Sequence, residues 1–310
     1  MAHTQTARAL FLFLLISIGA AQGQVPPAQN AQSELILVYS PAKTAPSENQ
    51  LPVFLRAANF GDPAAQVNVG MLYARADGNL HNDAQAFRWF QRAVGEQSPD
   101  AMNNLGVFYM QGRGIPSDPQ SGLYWLRRAA DAKLPAAEVN MGLASWNGWG
   151  TTADHAEGAR WFRQAANRGF APGEFAYAFS CENGDGVPQN ASDAANWYAK
   201  AVKQGHPAAM NNLGIMYEEG RGVKADAARA KQLYEQSVRA GFRGAAVNLA
   251  RFLLAGKAGK PNRTEVCGWL LVAKDSDPTA EQLSKSVCGS LDGASLIAAQ
   301  KVAAGSKANP

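Results

Sequence analysis

Histidine is scarce in this chain of 310 residues, with four in all. His3, His81, His155 and His206 are scattered, and no two stand at the i, i+4 spacing of a helical zinc site. The three that fall at helix junctions suit capping or exposed roles. The sequence has no Gly-x-Ser-x-Gly elbow for a nucleophilic serine. Gly256–Lys260 misses the phosphate-loop pattern, because Pro261 stands where Ser or Thr is required. No nucleophile–base pair can be assembled, so no catalytic residue, cofactor or metal is expected. A formal charge of +4 is too small to argue for a nucleic-acid partner.

Long apolar runs are missing too. Ala9–Ile18 is well under the roughly 20 residues of a membrane span. With Arg8 before it and Gly19, Ala20 and Ala21 after it, the run reads as a secretory signal peptide over residues 1–21. Export to a periplasmic or secreted location is the expectation. The cysteines number three. Cys267 lies on the second helix of the last repeat and Cys288 on a helix that folds back after Asp277-Pro278. In an oxidising compartment the two could bond, or both could be small buried hydrophobes. Cys181 replaces a tyrosine of other repeats and reads as a packing thiol.

Residues 22–46, rich in Pro, Ala, Gln and Ser, read as a flexible leader. The apolar patch Leu35-Ile36-Leu37-Val38-Tyr39 interrupts it, and fits either a short strand or a segment docked on the rest of the chain. Beyond it the sequence is periodic. Gly112, Gly148, Gly184, Gly220 and Gly256 step by 36 residues, as do Trp89, Trp125, Trp161 and Trp197, with Leu233 in the next place and Trp269 after it. A period of this size marks a solenoid whose unit cannot bury its apolar face alone.

Within a unit each landmark has a job. Pro63, Pro99, Pro135 and Pro207 open a first helix, and the glycine series closes it. Asn82, Asp118, Asp154, Asn190, Asp226 and Asn262 cap a second helix, with Gln85, Glu157 and Glu265 placed for capping boxes. Gly70, Gly106, Gly142 and Gly214 sit mid-helix, which implies a close pass by the paired helix. A half repeat from Ser47 to Phe60, six repeats to residue 275 and C-terminal capping helices with a tail over 276–310 complete the layout.

Asn104-Leu105-Gly106, Tyr109, Gly112-Arg113-Gly114-Ile115, Asp118 and Ala129 resemble the Sel1-like repeat, a relative of the tetratricopeptide repeat. Asn212-Leu213-Gly214, Tyr217, Gly220-Arg221-Gly222-Val223 and Asp226 repeat the match. The resemblance covers about residues 47–275. It departs at Ser145, at Trp149 and at Tyr177-Ala178. It implies an all-α, right-handed α-α superhelical solenoid, and an adaptor or regulator of secreted or membrane-bound proteins rather than an enzyme. The branch stapled by a disulfide in every repeat is not matched.

By the same resemblance first helices line a concave groove. This register places Val107, Met110, Leu143, Trp146, Phe175 and Phe179 on its floor, and Arg75, Glu182, Glu218, Glu219 and Arg251 at its rim. An apolar floor with a charged rim suits a protein segment from a periplasmic or membrane-bound partner, such as a sensor or an envelope-assembly component. The asparagines at 68, 104, 140, 212 and 248 fit either helix-to-helix bonding or capture of a ligand's main chain, and the structural role is the favoured one. Arg88, Arg92, Arg127, Arg128, Arg160, Arg163, Lys200 and Lys203 read as a solvated convex face. Two other classes stand behind the scaffold: an envelope hydrolase of the cell-wall or beta-lactam type, and a glycan-binding module using Trp149.

Overall fold

Asparagine and aspartate before each second helix decide where the elements begin. In the computed structural model the side chains of Asn82, Asp118, Asp154, Asn190, Asp226 and Asn262 all accept backbone N–H groups of the helix they precede. Each satisfies donors that a helix start leaves without a partner. Gly112, Gly148, Gly184 and Gly220 end first helices with φ between 69° and 77°. The structure describes residues 35–38, 47–76, 80–275 and 277–306. The expected signal peptide lies outside the described residues.

Fifteen α-helices and no strand occur among the described residues. In chain order they are α1 (Leu51–Asn59), α2 (Pro63–Arg75), α3 (Asp83–Val94), α4 (Pro99–Gln111), α5 (Pro119–Asp131), α6 (Pro135–Asn147), α7 (His155–Asn167) and α8 (Ala171–Asn183). Then follow α9 (Ala191–Lys203), α10 (Pro207–Glu219), α11 (Ala227–Arg239), α12 (Gly244–Leu254), α13 (Arg263–Ala273), α14 (Pro278–Cys288) and α15 (Gly293–Gly305). Helix pairs stack as an all-α solenoid, and none of the described helices is long and apolar enough to cross a membrane. The chain divides between Gln189 and Asn190 into two compact units.

Phe90, Leu126, Phe162, Tyr198, Tyr234 and Leu270 are each wholly buried. Their seat explains the mid-helix glycines. A Cβ on Gly142 would stand 2.4 Å from the Phe162 ring, and only a bare backbone leaves room for it. The tryptophan series is different. Trp125, Trp161 and Trp197 are half-buried, and cations lie over their faces: Arg128 at 5.2 Å, Arg127 at 5.7 Å and Lys200 at 3.4 Å. Several of the basic residues read as a solvated face are therefore ring-stacking partners, where π faces attract them.

In the second unit α13 packs against both α14 and α15. Cys267 and Cys288 are joined in a disulfide, with Cα atoms 5.2 Å apart. Cys181 is a buried free thiol. A cleft of about 680 Å³ opens between α11, α13 and α15, lined in part by Arg243, Lys274 and Asp275.

Candidate functional site

The first helices of the N-terminal unit carry asparagine at matching places, and these side chains form one connected ladder. Asn140 on α6 donates from Nδ2 to Asn103 Oδ1 at 2.8 Å, and Asn103 on α4 donates from Nδ2 to Asn104 Oδ1 at 3.1 Å. All three residues have no exposed surface. These bonds fix the way each amide faces, because a flipped amide would set donor against donor.

What the ladder holds is a piece of the chain's own leader. Ile36 N–H donates to Asn140 Oδ1 at 2.6 Å, and the Ile36 carbonyl accepts from Asn140 Nδ2 at 2.9 Å and Asn103 Nδ2 at 2.7 Å. Val38 N–H donates to Asn104 Oδ1 at 2.8 Å, and its carbonyl accepts from Asn104 Nδ2 at 2.7 Å. An amide side chain offers an acceptor and a donor together, so one asparagine satisfies both polar groups of one residue. Ionised aspartate has no donor and could not do this. Residues two apart in an extended chain point their polar groups the same way, which is why Ile36 and Val38 are held and Leu37 is skipped.

Leu35 and Leu37 are buried in the same apolar cluster as Val107 and Leu143, with Ile36 packed against it. Of the two readings left open for this patch, docking is the one observed, and the described residues pair with no strand. The flexible leader needs correcting at these four residues: five hydrogen bonds and two buried leucines tie them down. The asparagines take both of the roles open to them. They bond to each other between helices and grip a main chain as well.

The expected groove residues do not assemble into an open apolar floor. Val107 and Leu143 are buried in the core cluster that also takes Leu35 and Leu37. Phe175 and Phe179 are buried on α8. Met110 faces its own repeat partner, since a Cβ on Gly122 of α5 would stand 2.7 Å from Met110 Cγ. Trp146 stacks on His155 of α7, with centroids 4.2 Å apart, and meets Phe179 at its edge. These rings fill spaces between helices. At the expected rim Arg75 and Arg251 are exposed and Glu182 is buried. Glu218 accepts from the Tyr234 hydroxyl at 2.6 Å and pairs with Lys257 at 2.6 Å, while Glu219 pairs with Arg221. Burial first, then the Glu218 carboxylate, pushes the Tyr234 hydroxyl pKa upward.

The ladder's internal bonds recur in the second unit. Asn248 on α12 donates to Asn211 Oδ1 at 2.8 Å, and Asn211 on α10 donates to Asn212 Oδ1 at 3.1 Å. Asn212 there donates to the Tyr198 hydroxyl at 3.1 Å. The signal that could have found Asn103 and Asn211 was present as the doublets Asn103-Asn104 and Asn211-Asn212. Among the described residues no group of His, Cys, Asp and Glu could hold a metal ion.

The buried imidazole of His206 caps α10, accepting the Ala209 N–H at Nδ1 over 3.2 Å. Burial lowers its pKa to about 4. Glu138, with no exposed surface, is gripped by Arg168 Nε at 2.9 and 3.1 Å to its two oxygens.

Among the solved structures similar to this chain are two Sel1-type folds. A protective antigen of uropathogenic Escherichia coli with an SLR fold is 28% identical over 82% of this chain, with a TM-score of 0.66. This chain spans 56% of that protein's length. A Sel1 repeat protein of Oxalobacter formigenes is 27% identical over 73% of this chain and 93% of its own, with a TM-score of 0.68. No match is found among curated proteins. The Sel1 repeat pattern matches residues 63–94, 99–134, 135–170, 171–206 and 207–242. Those matches cover the helix pairs that carry Asn103, Asn104, Asn140, Asn211 and Asn212, and the chain belongs to the Sel1 repeat family.

Proposed function

We propose that this protein is an exported, non-enzymatic scaffold that binds an extended segment of a partner protein along the asparagine face of its first helices. One observation carries the reading: Asn103, Asn104 and Asn140 satisfy the main chain of Ile36 and Val38, so this face can hold a peptide with no help from side-chain charge. Main-chain capture with apolar pockets at alternate residues is a general way of recognising an extended segment. Sel1 repeats are interaction scaffolds as a class, and that supports a protein partner. The partner is a periplasmic or membrane-bound protein, such as a sensor or an envelope-assembly component.

Export is supported by the Arg8, Ala9–Ile18 and Gly19–Ala21 pattern, and by the Cys267–Cys288 bond, which persists best in an oxidising compartment. Fusing residues 1–46 to a reporter that is active only outside the cytoplasm tests this part. Activity supports export, and a silent, cytoplasmic fusion contradicts it. The binding part is tested by affinity capture from envelope extracts with wild type and Asn104→Ala/Asn140→Ala. A partner held by wild type and lost from the double variant supports the asparagine face; equal recovery contradicts it.

A further inference from the structure

We infer that Leu35–Val38 is a built-in competitor for the partner segment: it occupies the asparagine clamp in the resting chain and is displaced when a partner's extended apolar segment binds. This rests on the scaffold reading above and adds how the site is regulated.

The clamp is a property of the scaffold. The Asn248–Asn211–Asn212 bonds of the second unit have the same lengths, 2.8 and 3.1 Å, as Asn140–Asn103–Asn104. There Leu35–Val38 supplies none of the geometry. Repeats set the amide-to-amide bonds in place; the Asn212 Nδ2 of the second unit goes to the Tyr198 hydroxyl, where Asn104 Nδ2 goes to the Val38 carbonyl. The contacts to Leu35–Val38 are also of an exchangeable kind. Every polar contact goes to a backbone N–H or C=O, which any extended segment without proline can reproduce.

Side-chain selection rests mainly on the buried apolar seats of Leu35 and Leu37, with Ile36 packed at their edge. The occupant that fits is a segment with leucine-sized side chains two apart and no charge between them. The segment also runs counter to the repeat order, with Ile36 on Asn140 and Val38 on Asn104. Its C-terminal end is held on the earlier of the two repeats, and the half repeat begins at Ser47, nine residues beyond Val38. So short a tether gives an effective concentration on the order of millimolar. At that concentration a tethered segment with an intrinsic Kd of about 0.1 mM weakens the partner's apparent affinity by about tenfold, which is enough to hold the site closed until the partner's local concentration rises.

The test uses the full chain and a fluorescent peptide of residues 30–43 as the probe. Ile36→Pro/Val38→Pro removes the two N–H donors and releases the tethered segment. Thermal unfolding by circular dichroism checks that this variant is folded. The probe is expected to bind the released variant about tenfold or more tightly than wild type. Adding Asn104→Ala/Asn140→Ala to the released variant is expected to abolish the binding. Equal binding to wild type and the released variant overturns the competitor while leaving the groove reading intact. No binding to either overturns both. Wild type sedimenting as a dimer that dissociates on Ile36→Pro/Val38→Pro would assign the segment's role to a neighbouring copy, and would overturn the intramolecular version.

Discussion

Ile36 and Asn140 stand 104 residues apart and exchange two hydrogen bonds, N–H to Oδ1 at 2.6 Å and Nδ2 to carbonyl at 2.9 Å. The same amide donates to Asn103. Asn140→Ala takes the partner from the Ile36 N–H and from Asn103 Oδ1, while the Ile36 carbonyl keeps Asn103 Nδ2, and the change is expected to cost about 1–3 kcal/mol of stability. Asn140→Asp should cost at least as much at neutral pH, since a carboxylate would face the Asn103 oxygen with no proton to give. Urea midpoints of the two variants check this. A neutral Asn140→Asp would contradict the bonding pattern.

Gly222 sits in the turn after α10 with φ of 68°, and a Cβ there would meet the Ala191 carbonyl oxygen at 2.2 Å. Gly205 has φ of 82° and nothing within 4 Å. Gly205→Ala is expected to cost about 1–2 kcal/mol for the left-handed backbone alone, and Gly222→Ala clearly more, because backbone must also move. Denaturant titrations of both variants give the comparison. Equal losses would show that the close approach is not a constraint.

Protonation of His206 opposes folding. Its pKa in the fold is about 4, against about 6.5 unfolded. Below pH 6.5 the unfolded chain takes up a proton that the folded chain refuses until about pH 4. Stability from this group is therefore complete above pH 6.5 and falls as pH drops through that window, by about 3 kcal/mol in total. His206→Asn keeps a capping oxygen and should flatten this part of the profile. Unfolding free energies between pH 4 and pH 7 read it directly.

Reduction of Cys267–Cys288 opens a loop with a sequence separation of 21. Chain entropy puts the loss at about 3 kcal/mol. Cys267→Ser/Cys288→Ser should lower the thermal midpoint in oxidising buffer, and dithiothreitol should have no further effect on that variant.

Much of the fold was legible because its signals are local. A cap is one residue before a helix, and a left-handed glycine ends one, so Asp118 and Gly112 could be read without neighbours. Gly142 announced a close pass, and Phe162 proved to be what passes. The site was harder to read for a physical reason. First helices are buried on nearly every face: in α4 each residue from Ala101 to Phe108 is buried. No polar stripe separates a groove from a helix–helix seam, so the pattern that places Trp146 and Met110 on the groove floor does not announce that these half-buried side chains also pack against their paired helices. The asparagine period was visible. Its occupant was not, because Leu35–Val38 meets Asn140 across a separation no local pattern encodes. Gly114 and Gly222, the second glycines of their turns, were visible in the pattern, but their reason lies in the preceding repeat, whose backbone a Cβ would meet.

If asparagine amides hold the extended segment by its main chain, amide hydrogen exchange at Ile36 and Val38 reports it. In wild type both amides should exchange far more slowly than in an unstructured peptide, and in Asn104→Ala/Asn140→Ala both should exchange at the unstructured rate while helix amides of α4 and α6 stay protected. Fast exchange at Ile36 and Val38 in the wild-type chain would contradict the account.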